Sequence, residues 1–297
     1  MGIDSLTVVI ATYNRCDTLK KAILAYQGQT ELRAMREVLV VDDGSSDATP
    51  AMVSELSEKS VVPIRYLRQE NKGPAAARNV GIRLATTDLI LFTDDDIIPS
   101  TTLVAQHINW HMEFPELSAA VLGYMAWSPE VNPTPFMKWY GTDGALLDYS
   151  NLDGRTEIAE GHFYTGNISL KTVFLRQNGG FDEDFKAAAY EDIELGYRLR
   201  KAGMRLLYNY KALGYHEQFF SFADACRRSC KAAAALEVLK QKEAGRGYCV
   251  PLGLKQRFIS QTVKLVGPIL SPFRNMMDTR VSLPAIVYKV MFRTFRY

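Results

Sequence analysis

Val38-Leu39-Val40-Val41 is an unbroken apolar run between polar flanks. A strand with one face in water alternates polar and apolar residues, so a run without alternation belongs to a strand covered on both faces. That limits the chain to folds in which helices pack on both sides of a sheet. Leu89–Phe92 is a second such run. Around these two runs, strand-like and helix-like patterns alternate. Thr7–Ala11 is short, apolar and rich in β-branched residues; a helix with Asp17 at its start follows through Gln27, with Leu19, Ile23 and Tyr26 at helical spacing. Met52, Val53 and Leu56 mark a second helix and Ile64–Leu67 a third strand. Pro74 suits the first position of a helix continuing over Ala75–Leu84. The order βαβαβαβ predicts an α/β fold with a doubly wound, mainly parallel sheet.

Such sheets bind ligands at the carboxyl ends of their strands. Three predicted strand ends are polar: Thr12-Tyr13-Asn14, Asp42-Asp43 and Asp94-Asp95-Asp96. The last two put five carboxylates on one edge. They repel one another unless a cation or a hydrogen-bonding ligand offsets their charge. Hard divalent cations take oxygen ligands, and Mg²⁺ combines one or two carboxylates with substrate phosphates. The triplet therefore suggests a metal–diphosphate site. The alternative is a run of loop acids capping a helix that begins at Pro99.

These segments resemble the family 2 glycosyltransferases of GT-A fold. The pieces are Val8-Val9-Ile10-Ala11-Thr12-Tyr13-Asn14-Arg15, Val40-Val41-Asp42-Asp43-Gly44-Ser45-Ser46-Asp47, Asn71-Lys72-Gly73-Pro74-Ala75-Ala76-Ala77-Arg78-Asn79 and Phe92-Thr93-Asp94-Asp95-Asp96. Gly179-Gly180-Phe181-Asp182 and Glu191-Asp192-Ile193-Glu194-Leu195 complete the set. Each is weak alone; their order and spacing over roughly residues 5–220 make the resemblance specific.

The resemblance implies a Rossmann-like nucleotide-binding half over about 1–115, an acceptor half over about 116–220 and a helical, basic extension over 221–297. It implies a nucleotide diphosphate-sugar donor, most commonly a UDP-sugar, and Mg²⁺ or Mn²⁺. Asp43 would meet the nucleobase, and Thr12, Tyr13, Asn14 and Arg15 would line the nucleoside. Asn71, Gly73 and Arg78 would lie near ribose and phosphates, with Gly73 letting backbone approach the ligand. Asp96 would coordinate the metal, with Asp94 and His216 as further ligands, while Asp94 and Asp95 would also hold ribose, metal-bound water or diphosphate. Gly166-Asn167 would lie beneath the donor sugar. Asp192, beside Glu191 at the start of a helix through Ala202, would be the general base of an inverting single displacement. Without the other motifs, Glu191-Asp192 reads as acids pairing with a helix dipole. No QxxRW follows Asp192, so a non-processive, hexosyltransferase-like enzyme is expected, acting on a glycan or lipid-linked acceptor in cell-surface polysaccharide or glycolipid assembly.

Other classes fit less well. No GxGxxG follows the first strand, which excludes a dinucleotide-dependent oxidoreductase. Val41, two before Asp43, excludes a DxDGT phosphatase. Sugar nucleotidyl transfer and a catalytically inactive nucleotide-sugar-binding module remain as alternatives. His107 and His111 lack the glutamate of HExxH and are expected to form a packed or solvated helix face, not a zinc site.

The net charge of +2 conceals a split. Residues 251–297 hold eight basic residues and one acid, leaving 27 basic and 32 acidic residues before them. The acidic body argues against a nucleic-acid partner. A basic amphipathic stretch from Leu254 and a second from near Pro284 suggest an anionic membrane surface as a partner. In the second, Lys289, Arg293 and Arg296 oppose Val287, Met291 and Phe295. The N-terminus carries no basic-then-apolar leader, and no stretch of 18 apolar residues occurs. A cytoplasmic protein, peripheral at the inner face of the plasma membrane, is therefore expected. The four cysteines do not suggest a disulfide scaffold.

Overall fold

A computed structural model describes residues 5–142, 146–152, 154–248 and 270–295. Its first elements are β1 (Leu6–Thr12), α1 (Cys16–Gln27), β2 (Met35–Asp42), α2 (Thr49–Lys59), β3 (Ile64–Arg68), α3 (Pro74–Leu84) and β4 (Leu89–Asp94). They follow the predicted alternation. β5 (Ile97–Pro99), α4 (Leu103–Glu113) and β6 (Ala119–Trp127) come next. Ile97–Pro99 is a strand, so the acids before it do not cap a helix at Pro99. The chain continues through α5 (Pro135–Thr142), β7 (Glu157–Ile158), β8 (Asn167–Lys171), α6 (Thr172–Gln177), α7 (Glu191–Lys201) and β9 (Arg205–His216). After β9 come α8 (Phe222–Gln241), α9 (Glu243–Tyr248), a 3-10 helix at Ser271–Asp278 and α10 (Ala285–Phe295).

The strands form one sheet in the order β3-β2-β1-β4-β8-β6-β9-β5, with β7 paired to β9. β3, β2, β1 and β4 are parallel, while β8 joins β4 antiparallel. Val38, Leu39, Val40 and Val41 are fully buried, as a strand covered on both faces requires. Successive strands build outward from β1 in both directions, so the order reverses beside it, the usual ligand position in such a sheet. Register then brings the motifs together: Thr12 lies opposite Asp42, and Ala11 opposite Asp94.

The chain divides into two compact units, one of Met1–Ala126 with Gly154–Glu217, the other of Trp127–Asp153 with Gln218–Tyr297. The first holds a core of Val8, Ile10, Leu19, Ile23, Tyr26, Val38, Val40 and Leu91. The second is aromatic. Phe136 stacks on Tyr140 at 5.5 Å and meets Phe222 edge-on at 5.3 Å, while Tyr140 meets Phe292 edge-on at 5.3 Å.

Two expectations for this region need correction or placement. On α10 the apolar side, Met291 with half-buried Val287 and Phe295, packs into the aromatic core, so it is not the face left for a membrane. The stretch from Leu254, with Lys255, Arg257 and Lys264, and residue Arg296 lie outside the described residues. Among the described residues, Cys16, Cys226 and Cys230 form no disulfide.

Candidate active site

Loops after β1, β2 and β4 meet at one edge of the first unit. Asn14 adopts a left-handed backbone (φ 53°), uncommon outside glycine. This turn lets its N–H donate to Ser45 Oγ at 2.8 Å and its Oδ1 accept from Ser46 N at 2.8 Å. Thr12 donates to Asp95 Oδ2 at 2.8 Å. The Asp43 carboxylate accepts from Gln69 Nε2 at 2.7 Å and from Lys72 N and Gly73 N, each at 2.8 Å. Asp43 therefore shapes the 71–73 loop, with Asn71 and Tyr13 exposed on the rim.

The acidic triplet divides into one open and two enclosed carboxylates. Asp94 is 43% exposed, whereas Asp95 and Asp96 are 7% and 6% exposed. Arg15 spans the enclosed pair, reaching Asp95 Oδ1 at 3.1 Å and also Asp96 Oδ2. β5 pairs with β9 so that Ile97 faces His216, and Glu217 N donates to Asp96 O at 2.8 Å. That register brings His216 Nε2 to 3.3 Å from Asp96 Oδ2. Burial alone would raise the Asp96 carboxyl, but His216 and Arg15 outweigh it and hold it well below the usual carboxylate range. Asp95 moves the other way, raised by burial and then by the charge of Asp96, against Arg15 and Thr12.

A second cluster adjoins the triplet. Arg78, 5% exposed, donates from Nη2 to Asp94 Oδ1 and from Nη1 to Glu191 Oε1, both at 2.9 Å. Glu191 Oε2 is buried and has no hydrogen-bond partner. The residue before it, Tyr190, has φ 67°, a strained conformation for a bulky side chain. Asp192 is half-buried and pushed up to about 7, first by burial and then by Glu191, against the Ile193 N–H and Arg78. Asn79 ties this region to the Gly179–Asp182 motif: it accepts from Phe181 N at 2.8 Å and donates to Phe181 O at 2.9 Å. Gly180 has φ 71°, where a side chain is strained, and a Cβ there would come within 2.6 Å of Asn79 Oδ1 and displace that amide.

Several expected ligand contacts are engaged within the protein instead. The Asp42 carboxylate accepts from Ser45 N at 2.7 Å and from Tyr66 OH; it is fully buried and does not belong to the open edge. Gly73 has φ 94°, and the backbone that approaches it is Lys186 O, 2.9 Å from where a Cβ would stand. Asn167 donates both amide hydrogens to backbone, Ala212 O at 2.8 Å and Tyr124 O at 3.2 Å. Gly166 does reach the site, since a Cβ there would lie 3.2 Å from Asp94 Oδ2. Sequence reasoning missed the Arg78 bridge and the Tyr190 backbone. A run of Tyr-Glu-Asp at a helix start is common, and nothing in it announces a positive φ.

Asp96 and His216 fit a divalent cation. One carboxylate oxygen and one ring nitrogen converge, and a guanidinium already marks the position as one that attracts positive charge. Among the described residues no group of three or more His, Cys, Asp or Glu could hold a metal ion. Such a site needs further oxygen atoms from a substrate, as carboxylate–diphosphate sites do. The mixed oxygen–nitrogen set suits Mn²⁺ better than Mg²⁺.

Comparison with known proteins agrees with this arrangement. The chain is 32% identical over 233 residues to validoxylamine A glucosyltransferase of Streptomyces hygroscopicus subsp. jinggangensis, covering 70% of this chain and 54% of that protein. It is 25% identical over 266 residues to hyaluronan synthase of Pasteurella multocida, covering 80% of this chain and 27% of that one. The chain thus spans about half or less of the length of these curated relatives. Among solved structures, the mannosyltransferase PcManGT of Pyrobaculum calidifontis, in complex with GDP-Man and Mn²⁺, superposes with TM-score 0.58 at 18% identity, covering 97% of this chain and 85% of that one. TarS 1–349 of S. aureus in complex with UDP-GlcNAc gives TM-score 0.57 at 16% identity, covering 98% and 89%. Those two likenesses establish a shared fold. The family described as glycosyl transferase family 2 matches residues 7–177, more than half of the chain, and with the motifs assembled at one sheet edge the conclusion is that this chain belongs to glycosyl transferase family 2.

Proposed function

We propose that this chain transfers a sugar from a nucleotide diphosphate-sugar to an acceptor hydroxyl, with inversion and by a single displacement. The observation that carries this reading is the Arg78 bridge. One guanidinium holds both Asp94 of the triplet and Glu191, the neighbour of Asp192. The donor-side acid Asp94 is thereby tied to the helix start that carries Asp192, which supports the positioning that in-line attack requires. Asp192, shifted toward neutral pH, is suited to take the acceptor proton. Asp43 and the 71–73 loop hold the nucleoside end, Gly166 lies beneath the sugar beside Asp94, and Arg15 leaves Asp96 to face the diphosphate. Metal dependence is part of the proposal: Mg²⁺ or Mn²⁺ held by Asp96 and His216 would stabilise charge on the leaving diphosphate.

A UDP-sugar is the proposed donor and a glycan or lipid-linked hydroxyl the proposed acceptor, in non-processive polysaccharide or glycolipid assembly. The UDP-GlcNAc and GDP-Man bound to the structural relatives support a nucleotide-sugar in general. Nucleotidyl transfer is less favoured. The first loop is closed onto its neighbours, with Asn14 N on Ser45 and Cys16 N on Asp47 Oδ2 at 3.0 Å, instead of offering a glycine-rich phosphate cradle. A thermal-shift panel of UDP, GDP and dTDP with their sugars, with and without Mn²⁺, tests the reading. A Tm rise with one nucleotide family, larger with Mn²⁺, is expected. No rise with any nucleotide contradicts it.

We place the protein in the cytoplasm, peripheral at the inner face of the plasma membrane. Among the described residues no helix is long and apolar enough to cross a membrane. On α10, Ile286, Lys289, Val290 and Arg293 are exposed at helical spacing, with Phe273 and Met276 also exposed on the preceding 3-10 helix. Apolar side chains mixed with cations suit an anionic surface, with about 1 kcal/mol from each Lys or Arg near it. Sedimentation with phosphatidylserine vesicles at low salt, lost in K289E/R293E, is the expected result. Equal sedimentation of both proteins, or of neither, rejects it.

A further inference from the structure

Along β8, Asn167, Ser169 and Lys171 point to one face, and on α4 His107 and His111 point to one side. All five side chains are buried. Lys171 Nζ lies 2.9 Å from His111 Nδ1 and donates to Phe114 O at 2.8 Å. His111 Nε2 is 2.9 Å from Ser169 Oγ, and Ser169 Oγ is 2.8 Å from His107 Nδ1. His107 Nε2 is 2.9 Å from Asn167 Oδ1.

Proton placement along this row has one solution. An ammonium only donates, so His111 Nδ1 accepts and its proton sits on Nε2. Ser169 receives that hydrogen bond and must give its own proton to His107 Nδ1. His107 then carries its proton on Nε2 and donates to Asn167 Oδ1. The far end demands the same direction independently. The Asn167 amino group faces the carbonyls of Ala212 and Tyr124, so Oδ1 is the atom turned to His107. Burial also holds both rings neutral: His107 is lowered to about 4 and His111 well below its ordinary value.

We propose that Lys171, His111, Ser169, His107 and Asn167 form one directed hydrogen-bond chain that positions the Gly166–Asn167 peptide against Asp94, and so governs how firmly the sugar of the donor is held. The function of the chain as a sugar-positioning device rests on the donor-binding reading above. Its geometry follows from the register: Asn167 faces Thr93 at the ligand edge, while Lys171 faces Leu89 at the opposite end of the strand. Glycine at 123 is demanded by the same device, since a Cβ there would stand 2.2 Å from Asn167 Nδ2. Well-packed apolar side chains would hold this helix and strand together as strongly. What a fully satisfied polar row adds is one permitted geometry. These are positioning residues; none is assigned contact with substrate.

Two measurements on the full chain test this. Histidine ¹⁵N NMR of the ligand-free protein at pH 7 is expected to show His107 and His111 neutral, each with its proton on Nε2; a charged ring or an Nδ1–H tautomer at either overturns the chain. Calorimetry then compares UDP with UDP-glucose, or GDP with GDP-mannose if that pair is the one that binds. In Ser169→Ala the sugar nucleotide is expected to weaken about tenfold while the bare diphosphate changes less than about twofold. Ser169→Thr, which keeps the hydroxyl, restores sugar binding. Lys171→Met provides the same comparison if Ser169→Ala does not fold. Equal loss for both ligands, or loss for neither, overturns the positioning role. If the unaltered chain binds no nucleotide, the donor-binding reading fails with it, and the NMR result still decides the chain.

Discussion

Asp192→Asn is expected to lower kcat by about 10²–10⁴-fold while leaving nucleotide binding intact, because the amide keeps the volume but cannot take the acceptor proton. The side chain is half-buried and its neighbours fix its charge behaviour. Burial first, then Glu191, raises it to about 7. A base acts in its ionised form, so kcat/KM should climb as pH rises through about 7 and level off above. Glu191→Gln removes a neighbouring negative charge and keeps an oxygen for Arg78 Nη1. The rising limb should therefore shift to lower pH. A pH profile of both variants with saturating acceptor decides the assignment. Unchanged turnover in Asp192→Asn, or a limb that Glu191→Gln leaves in place, would remove Asp192 as the base.

Asp96→Asn and His216→Ala are expected to lower turnover by about two to three orders of magnitude, the size of several kcal/mol of lost charge stabilisation. Mn²⁺ titration followed by electron paramagnetic resonance, with UDP present, should show weakened binding in both. Arg15 gives this prediction a second edge. Its guanidinium sits on Asp95 and Asp96, so an incoming cation must displace it. Arg15→Met should tighten Mn²⁺ binding in the absence of nucleotide, while turnover falls because the diphosphate loses a contact. Treatment with a chelator should abolish transfer, and Mn²⁺ should restore it more fully than Mg²⁺. Full activity of the chelated protein would end the metal proposal.

Much of the site was legible from residue patterns because its parts sit at strand ends, and strand ends are what hydrophobic patterning reads best. Thr12, Asp94, Asp95 and Asp96 fall on one edge because β1 and β4 are neighbours. Asp42 and Asp43 could not be told apart in this way. Asp42 is the last residue of β2 and Asp43 the first of the loop after it, and only the hydrogen bonds of Ser45 and Tyr66 show Asp42 turned away from the edge. The same holds for Gly73: its positive φ of 94° and its close neighbour, Lys186, more than a hundred residues along the chain, are both set by the fold.

On its own, the sequence determined the parallel half of the sheet, the loops at its carboxyl edge and the family, since these depend on local periodicity and on short motifs. Tertiary structure decided how the charges meet, even where the resemblance had already put Asp96 and His216 in one site. β5–β9 pairing joins Asp96 to His216, the Arg78 fork joins Asp94 to Glu191, and one face of β8 against one face of α4 turns two apparently idle histidines into a continuous polar row. Each is a contact across a long separation in sequence, fixed by register and packing. Local propensity carries no record of either.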